Sequence, residues 1–569
     1  MLTDADTIVM PAAVGLRDIA LPRQAGEHQP LASTVEMPVL KVPAEAPEGY
    51  TPTRRRTVVS RLALLGILAL QAVLTLRLRN TAFEDEALYL YAGRMELGYL
   101  LHGVALQGSY ASYFSGAPVL YPVLSAALNA VGGLALIRTL SLVEMLAVTA
   151  MLYSVARFLF NERAALCAAA LFAVSESALF VGHLATYDAT CLFLLAASTT
   201  IAVRSSAVSR WWPVVLLAAP LAALAVAVKY AGALFVPTIA VLPAIAGWPV
   251  RGRRVLLYPP AFCLAVAVLL AVGLRLGGHV YVEAITGTTT SRAQGTTPDS
   301  HILQESADWG GLVALLAVIG VALYTWHART EPSELIAPPG GRARRAMLGA
   351  VMVGTVTLAP LYQMYLHTDV SLQKHIGFGM FFAAPMAGVG LARIVGDHFR
   401  RPHFGIALWS AALALGMSQS WTLFHDWPAS GPLVSALSPY LAPHAAYLVE
   451  VPEVPIYYLE GRPDAQPAQF SSTYSIAYVG SHGQVMTGNA GFAAAVRAGA
   501  FRVIAYDDMV TPSADATIAQ AIASSHRYHL VRIVHLNDAY GAMNYYIWEK
   551  RAAPAHHSPR AHHSPPKRH

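Results

Sequence analysis

Charge is scarce in this sequence. Lys, Arg, Asp and Glu supply 13% of its 569 residues against 55% hydrophobic ones, and the mean hydropathy is +0.46. An ordinary soluble domain carries about a quarter charged residues. A single water-soluble core is therefore excluded, because it would have to bury many helices that are apolar all round. Cysteine is scarcer still. Cys167, Cys191 and Cys263 all fall inside apolar runs, so neither a disulfide framework nor a cysteine zinc site is indicated. The first fifty residues hold no apolar run, and no cleavable signal peptide is expected. No internal repeat is visible.

What charge there is leans positive, with a net +6 and an isoelectric point of about 9.1. The basic residues sit mainly in short loops between apolar runs. There they report membrane orientation, and no nucleic-acid partner is indicated.

Apolar runs long enough to span recur from about residue 58 to residue 424. The expected spans, about eleven, are 58–78, 135–158, 164–182, 187–203, 212–229, 231–248, 255–275, 309–327, 346–366, 374–393 and 404–424. They make an all-α polytopic membrane bundle over 54–424. Residues 1–53 read as a disordered cytoplasmic tail ending in Arg54-Arg55-Arg56. Residues 425–550 read as a small extracytoplasmic α/β domain, with strands expected at 501–506, 529–534 and 544–548 and helices near 490–499 and 513–525. The His/Pro-rich stretch 551–569 reads as disordered.

Residues 117–134 are apolar enough to span, and counting them would invert everything downstream. Charge decides the matter. If they do not cross, Arg157/Arg163, Arg204/Arg210, Arg251/Arg253/Arg254, Arg342/Arg344/Arg345 and Arg393/Arg400/Arg401 all fall inside with Arg54–Arg56. The N-terminus is then expected inside and the C-terminal region outside. The first outer loop, 79–134, contains DEALYLYAGRMELGYLL, whose apolar spacing predicts a helix lying in the interface plane.

Ionisable groups at a membrane face are costly without partners, so each is a candidate for function. Asp85 and Glu86 follow the first span, Arg138 opens the second, Asp188 opens the fourth, Lys229 ends the fifth and Lys374-His375 opens the tenth. All fall at one depth on one side. Mixed carboxylates and cations suit a reaction between a hydroxyl acceptor and an anionic leaving group. Each also has a plainer reading. Asp85-Glu86 suits a helix N-terminus, Asp188 a cap, and Lys229 a side chain snorkelling to headgroups. Arg138 and Lys374 suit interface anchors, and His183 and His375 are weaker candidates. Glu144 and Glu176 are expected to bond to neighbouring helices, and Asp507-Asp508 to be strand-end turn residues.

FEDEALYLYAG after the first span resembles the acidic motif in the first outer loop of the GT-C glycosyltransferases, particularly family 39, the protein O-mannosyltransferases and lipid A aminoarabinose transferases. LIRTLSLVEMLAV, GHLATYDATCLFLLA, AVAVKYAGALFVP and SLQKHIGFGMFFAAPMAG resemble its second-span Arg, second outer Asp, Lys-Gly hairpin and late span. The hairpin departs from the family's Lys-Gly-Pro, and the C-terminal domain resembles neither the repeat domain of eukaryotic mannosyltransferases nor a nucleotide-binding domain.

The resemblance implies a GT-C bundle that moves a sugar from a polyprenyl-phosphate donor to a hydroxyl on protein, lipid or polysaccharide. Asp85 would be the base of an inverting transfer, with Glu86 and Asp188 positioning acceptor or donor hydroxyls. Arg138, Lys229, Lys374 and His375 would hold the phosphate, and Tyr89, His183 and Tyr187 would contact acceptor or sugar. Neither a nucleotide nor an obligatory metal is implied. A transporter or lipid flippase is the competing reading.

Overall fold

The computed structural model describes residues 54–106, 110–206, 211–292, 294–326, 340–396 and 399–551. The tails expected over 1–53 and beyond Arg551 lie outside the described residues. In chain order the helices are α1 Arg54–Leu76, α2 Glu84–His102, α3 Tyr110–Tyr113, α4 Tyr121–Leu159, α5 Glu162–Ala173, α6 Glu176–Val181, α7 Tyr187–Ser205 and α8 Trp211–Val228. A 3₁₀ segment, Tyr230–Phe235, leads into α9 Val236–Arg251, and then come α10 Tyr258–Gly277, α11 His279–Thr288 and α12 Asp299–Trp326. The bundle closes with α13 Arg342–Gly354, α14 Leu358–Leu366, α15 Leu372–Val395 and α16 Pro402–Phe424.

Every expected span falls on helix. By length and composition, six helical stretches among the described residues suffice to cross a membrane: Arg54–Leu76, Tyr121–Leu159, Tyr230–Gly277, Asp299–Trp326, Arg342–Leu366 and Leu372–Val395. The expectation of eleven separate spans is thus not matched one for one. The spans 231–248 and 255–275 share one stretch, and 164–182 is broken, because Ser175 caps α6 by accepting from the Ala178 N–H.

Gly133 interrupts the helix that follows from the ambiguous segment. Its φ of 63° divides α4, leaving 121–132 as a separate helical piece. Twelve residues of helix reach about 18 Å, well short of a hydrocarbon layer roughly 30 Å thick. This piece cannot cross by itself.

The bundle is organised around α15. Of its most apolar window 83% is buried, against 11% for α1 at the periphery. Small residues bring its neighbours close. A Cβ on Gly388 would strike the Ala164 carbonyl of α5, and one on Gly390 the Leu316 carbonyl of α12. Without a hydrophobic driving force between helices in lipid, such close backbone packing supplies the cohesion.

After Gly431–Leu437 (α17) the chain builds a five-stranded sheet from β1 Tyr447–Val449, β2 Phe470–Ser472, β5 Val503–Tyr506, β6 Tyr528–Asn537 and β7 Ala542–Lys550. The order is β2-β1-β5-β7-β6, with β1 parallel to both β2 and β5 and β7 antiparallel to β5 and β6. Alternation sorts the side chains. Tyr447 and Val449 join the core under α17, while Leu448 and Ile504 join the core on the other face with α19 Gly488–Ala498 and α20 Pro512–Ser525. β3 Ala477–Val479 and β4 Val485–Thr487 form a separate hairpin.

A short helix of this part, α18 Glu453–Tyr458, packs on α2, with Val454 against Ala82 and Ala87. Tyr458 accepts from the Ala82 N–H at 2.7 Å, and the Tyr457 hydroxyl donates to Asn129 at 3.0 Å. The helix expected to lie in the interface plane is therefore covered by the C-terminal part over its first turns. Only its far end bares apolar residues, Tyr99, Leu100 and Leu101.

Gly390→Val should overpack α15 against backbone that cannot move aside, at a cost of about 1–3 kcal/mol. The thermal midpoint in detergent checks this. Gly354→Ala, where nothing lies within 4 Å, should leave that midpoint nearly unchanged.

Candidate active site

Three consecutive acidic residues open α2, where the helix dipole favours negative charge. Successive residues on a helix point about 100° apart, so these three face different neighbours.

Glu86 faces Arg138 of α4. Both are buried, and the Arg138 Nε and Nη2 donate to the two carboxylate oxygens at 2.9 and 2.6 Å. Arg138 also donates to the Asn80 and Thr81 carbonyls, and its guanidinium lies 5.1 Å from the Phe424 ring. Glu86 accepts further from the Ala185 N–H at 2.7 Å and the Phe83 N–H at 2.9 Å. This is a latch between four segments. His183 belongs beside it, 5.3 Å from the Phe424 ring.

Asp85 faces Lys374. The Lys374 ammonium donates to Asp85 Oδ2 at 2.8 Å, and the Asp85 side chain is 34% exposed. Lys374 itself is only 5% exposed and sits in the first turn of α15, the helix end where a cation is disfavoured. It follows Ser371, whose φ of 64° is left-handed and strained for a non-glycine. A cation held at the wrong helix end after a strained turn needs the carboxylate opposite.

The second pair is Asp188 with Lys229. Asp188, in the first turn of α7, is wholly buried, accepts from the Thr186 hydroxyl at 2.8 Å and is ion-paired to Lys229. Lys229 directly follows α8, is 3% exposed and lies 4.9 Å from the Tyr187 ring. Two backbone bonds fix it: the Tyr230 N–H donates to the Ser115 carbonyl at 2.8 Å, and the Ala117 N–H to the Ala227 carbonyl at 2.9 Å. Between them a Cβ on Gly116 would strike the Val228 carbonyl. Gly232 meets the same need on the other side, its would-be Cβ 3.0 Å from Cys191 Sγ. That close approach accounts for the glycine that ends Lys-Tyr-Ala-Gly in the hairpin.

Tyr89 and Tyr187 stand 4.7 Å apart between the two pairs. His375 lies buried next to Lys374, with neither ring nitrogen hydrogen-bonded. Asp85, Asp188, Lys229, Lys374, His375, Tyr89 and Tyr187 are thus together, while Glu86, Arg138 and His183 form the adjoining latch. Glu144 accepts from Thr190 of α7, whereas Glu176 accepts from its neighbour Ser177. Asp507 accepts from the Met509 and Val510 N–H groups, as a strand-end turn residue does.

Four residues escaped the sequence reading. Arg292, from the loop after α11, acts electrostatically on His375. Gly116 carries no side-chain signal. Glu84 was read only as part of its motif, and Glu453 comes from a helix six residues long in a region read as an outer domain. Burial, then Glu453 and Asp85, push the Glu84 carboxyl up to about 8, and burial with Asp85 pushes Glu453 up to about 7. One further cluster among the described residues could hold a metal ion: His301, Glu305 and Asp369, whose ligand atoms lie within 4.8 Å of one another.

Residues 116–274 match the family model of the dolichyl-phosphate-mannose-protein mannosyltransferases. The structure is similar to ArnT from Cupriavidus metallidurans bound to undecaprenyl phosphate, with a TM-score of 0.53 at 14% identity over 86% of this chain and 97% of that one. Its apo form gives 0.52 at 13% identity over 86% and 98%. The chain has the GT-C fold. No curated protein matches the sequence. The GT-C bundle and its apolar helices make this a multi-pass membrane protein. The family match contains Arg138, Asp188 and Lys229, but the acidic turn of α2 and the Lys374-His375 pair lie outside it.

Removing one partner of a buried ion pair typically costs about 3–5 kcal/mol. Glu86→Ala and Arg138→Ala should each lose that much in detergent unfolding, and Arg138→Lys should not restore it, lacking the bidentate fork. A second expectation concerns pH. Carboxyls whose pKa is raised on folding bind protons that the unfolded chain has released. The stability they contribute is complete below about 4.5 and drains as pH rises toward 7–8. Hydrogen exchange in α18 should accelerate over that window, and less so in Glu453→Gln.

Proposed function

We propose that this protein is a membrane glycosyltransferase that moves a sugar from a polyprenyl-phosphate donor to a hydroxyl acceptor at the outer membrane face, inverting the anomeric carbon. The observation that supports this most is the meeting of two carboxylate–lysine pairs, Asp85–Lys374 and Asp188–Lys229, drawn from four distant segments to helix ends. A transporter would more naturally place such groups near mid-membrane. The ArnT structure similar to this one is described as bound to undecaprenyl phosphate, a lipid of the donor class.

Lys229, Lys374 and His375 form the phosphate site in this reading, with Arg292 near it. A buried imidazole with both nitrogens unpaired has capacity for a ligand oxygen. Asp85 is the base because, of the two paired aspartates, it alone is reached from outside: its side chain is 34% exposed against 1% for Asp188. The acceptor oxygen gives its proton to Asp85 and bonds to the anomeric carbon while the bond from that carbon to the phosphate oxygen breaks. Polyprenyl phosphate leaves with the electron pair and one added negative charge, which the lysines stabilise. These side chains serve the leaving group without an obligatory metal or nucleotide. Asp188 positions Lys229, Tyr89 and Tyr187 wall the space between the pairs, and Glu86, Arg138 and His183 hold the scaffold.

The protein in nanodiscs should transfer label from an undecaprenyl-phosphate sugar to membrane-extract acceptors. Asp85→Asn should lower turnover about 10²–10⁴-fold, the usual contribution of a general base. Lys229→Ala should weaken binding of undecaprenyl phosphate itself. Equal transfer by Asp85→Asn and wild type would sink the assignment.

A further inference from the structure

Glu453 is 6% exposed, and its Oε2 has no hydrogen-bond partner. A buried carboxyl oxygen without a donor is costly, and it is seldom left so unless something else supplies the donor. It stands close enough to Glu84 and Asp85 for their charges to act on one another. Among the described residues a cation acting on Glu84 is Lys374, which Asp85 already engages. The surroundings are aromatic. The Tyr474 hydroxyl lies 3.4 Å from Glu84 Oε2, and Tyr113 and Tyr91 act on the same carboxyls. Tyr113 and Tyr474 are each at least half exposed. A buried carboxyl oxygen short of a donor, with two exposed tyrosines nearby, matches a ligand rich in hydroxyls with apolar C–H faces.

We infer that Glu84 and Glu453, with Tyr113 and Tyr474, form the acceptor subsite and that the acceptor is a carbohydrate bound through adjacent hydroxyls. The inference rests on the transferase reading for the role of Asp85, and it gives the C-terminal part a direct place in the reaction. Its helix α18 brings Glu453 to the acidic turn of α2. One sugar hydroxyl then lies against Asp85 while its neighbours donate to Glu84 and Glu453. The carboxyls select for hydroxyls because an acceptor lacking them leaves buried oxygens unpaired. Glu84 and Glu453 are binding residues here and take no proton from the reacting oxygen.

Saturation-transfer NMR on the full-length protein in nanodiscs, with methyl pyranosides and methyl furanosides as probes, tests this directly. At least one glycoside should receive saturation, and Glu453→Gln and Tyr474→Phe should each weaken its binding about tenfold or more. Undecaprenyl phosphate binding should be unchanged in both. Tyr474 is half exposed, so its variant remains informative even if Glu453→Gln fails to fold. In turnover, where an acceptor is found, both variants should raise its KM more than they lower kcat. Glycoside binding that ignores both substitutions overturns the inference. So does binding here of a serine/threonine peptide or a divalent cation to the exclusion of glycosides. Glycoside binding that depends on Glu453 in a protein with no affinity for undecaprenyl phosphate would support this subsite and remove the donor assignment instead.

Discussion

The carboxylate of Glu86 and the guanidinium of Arg138 are buried, and neither could be there alone, since the penalty for an unpaired ion amounts to several kcal/mol after relaxation. Their two-pronged geometry fixes distance and orientation together. Because Glu86 is thus immobilised, the first turn of α2 has no rotational freedom left. Asp85 is set toward Lys374 on α15, and Glu84 toward Tyr474 and Glu453 on the C-terminal part. One buried pair thereby decides where the neighbouring acids point.

The same economy appears at Lys229. A lysine ending a membrane helix would ordinarily reach for headgroups. Here it turns inward because Asp188 compensates its charge and the Tyr187 face shields it. The backbone bonds from 115–117 to 227–230 set its height, so the first loop helps to define the site without lending a side chain to it. Close backbone approach at Gly116 seats the first loop on the end of α8, and at Gly388 and Gly390 it seats α15 on α5 and α12.

How much of this was legible follows from the kind of signal involved. Membrane helices and the long strands β6 and β7 declare themselves through many residues, and the α19 and α20 regions through apolar spacing. Strands β1 and β2, three residues each, carry too little alternation to be seen. The ionisable residues were visible because charge is rare in apolar runs, yet their pairing was not. Nothing local distinguishes Glu86, which meets Arg138, from Asp85, which meets Lys374 nearly three hundred residues away. The resemblance to a family grouped Arg138 with the phosphate ligands, whereas its hydrogen bonds go to Glu86 and two carbonyls. Glu453 stayed hidden because its significance comes only from docking against α2.

Charge balance links the two halves of the site. Arg138, Lys229 and Lys374 are matched by Glu86, Asp188 and Asp85, which among the described residues leaves Glu84 and Glu453 outside these ion pairs. A phosphate arriving at Lys374 competes with Asp85 for the same ammonium. In the transferase reading, donor binding therefore loosens Asp85 from its partner just as a proton acceptor is required. In that reading donor occupancy and the release of Asp85 are linked through one lysine, so the phosphate binds before the acceptor.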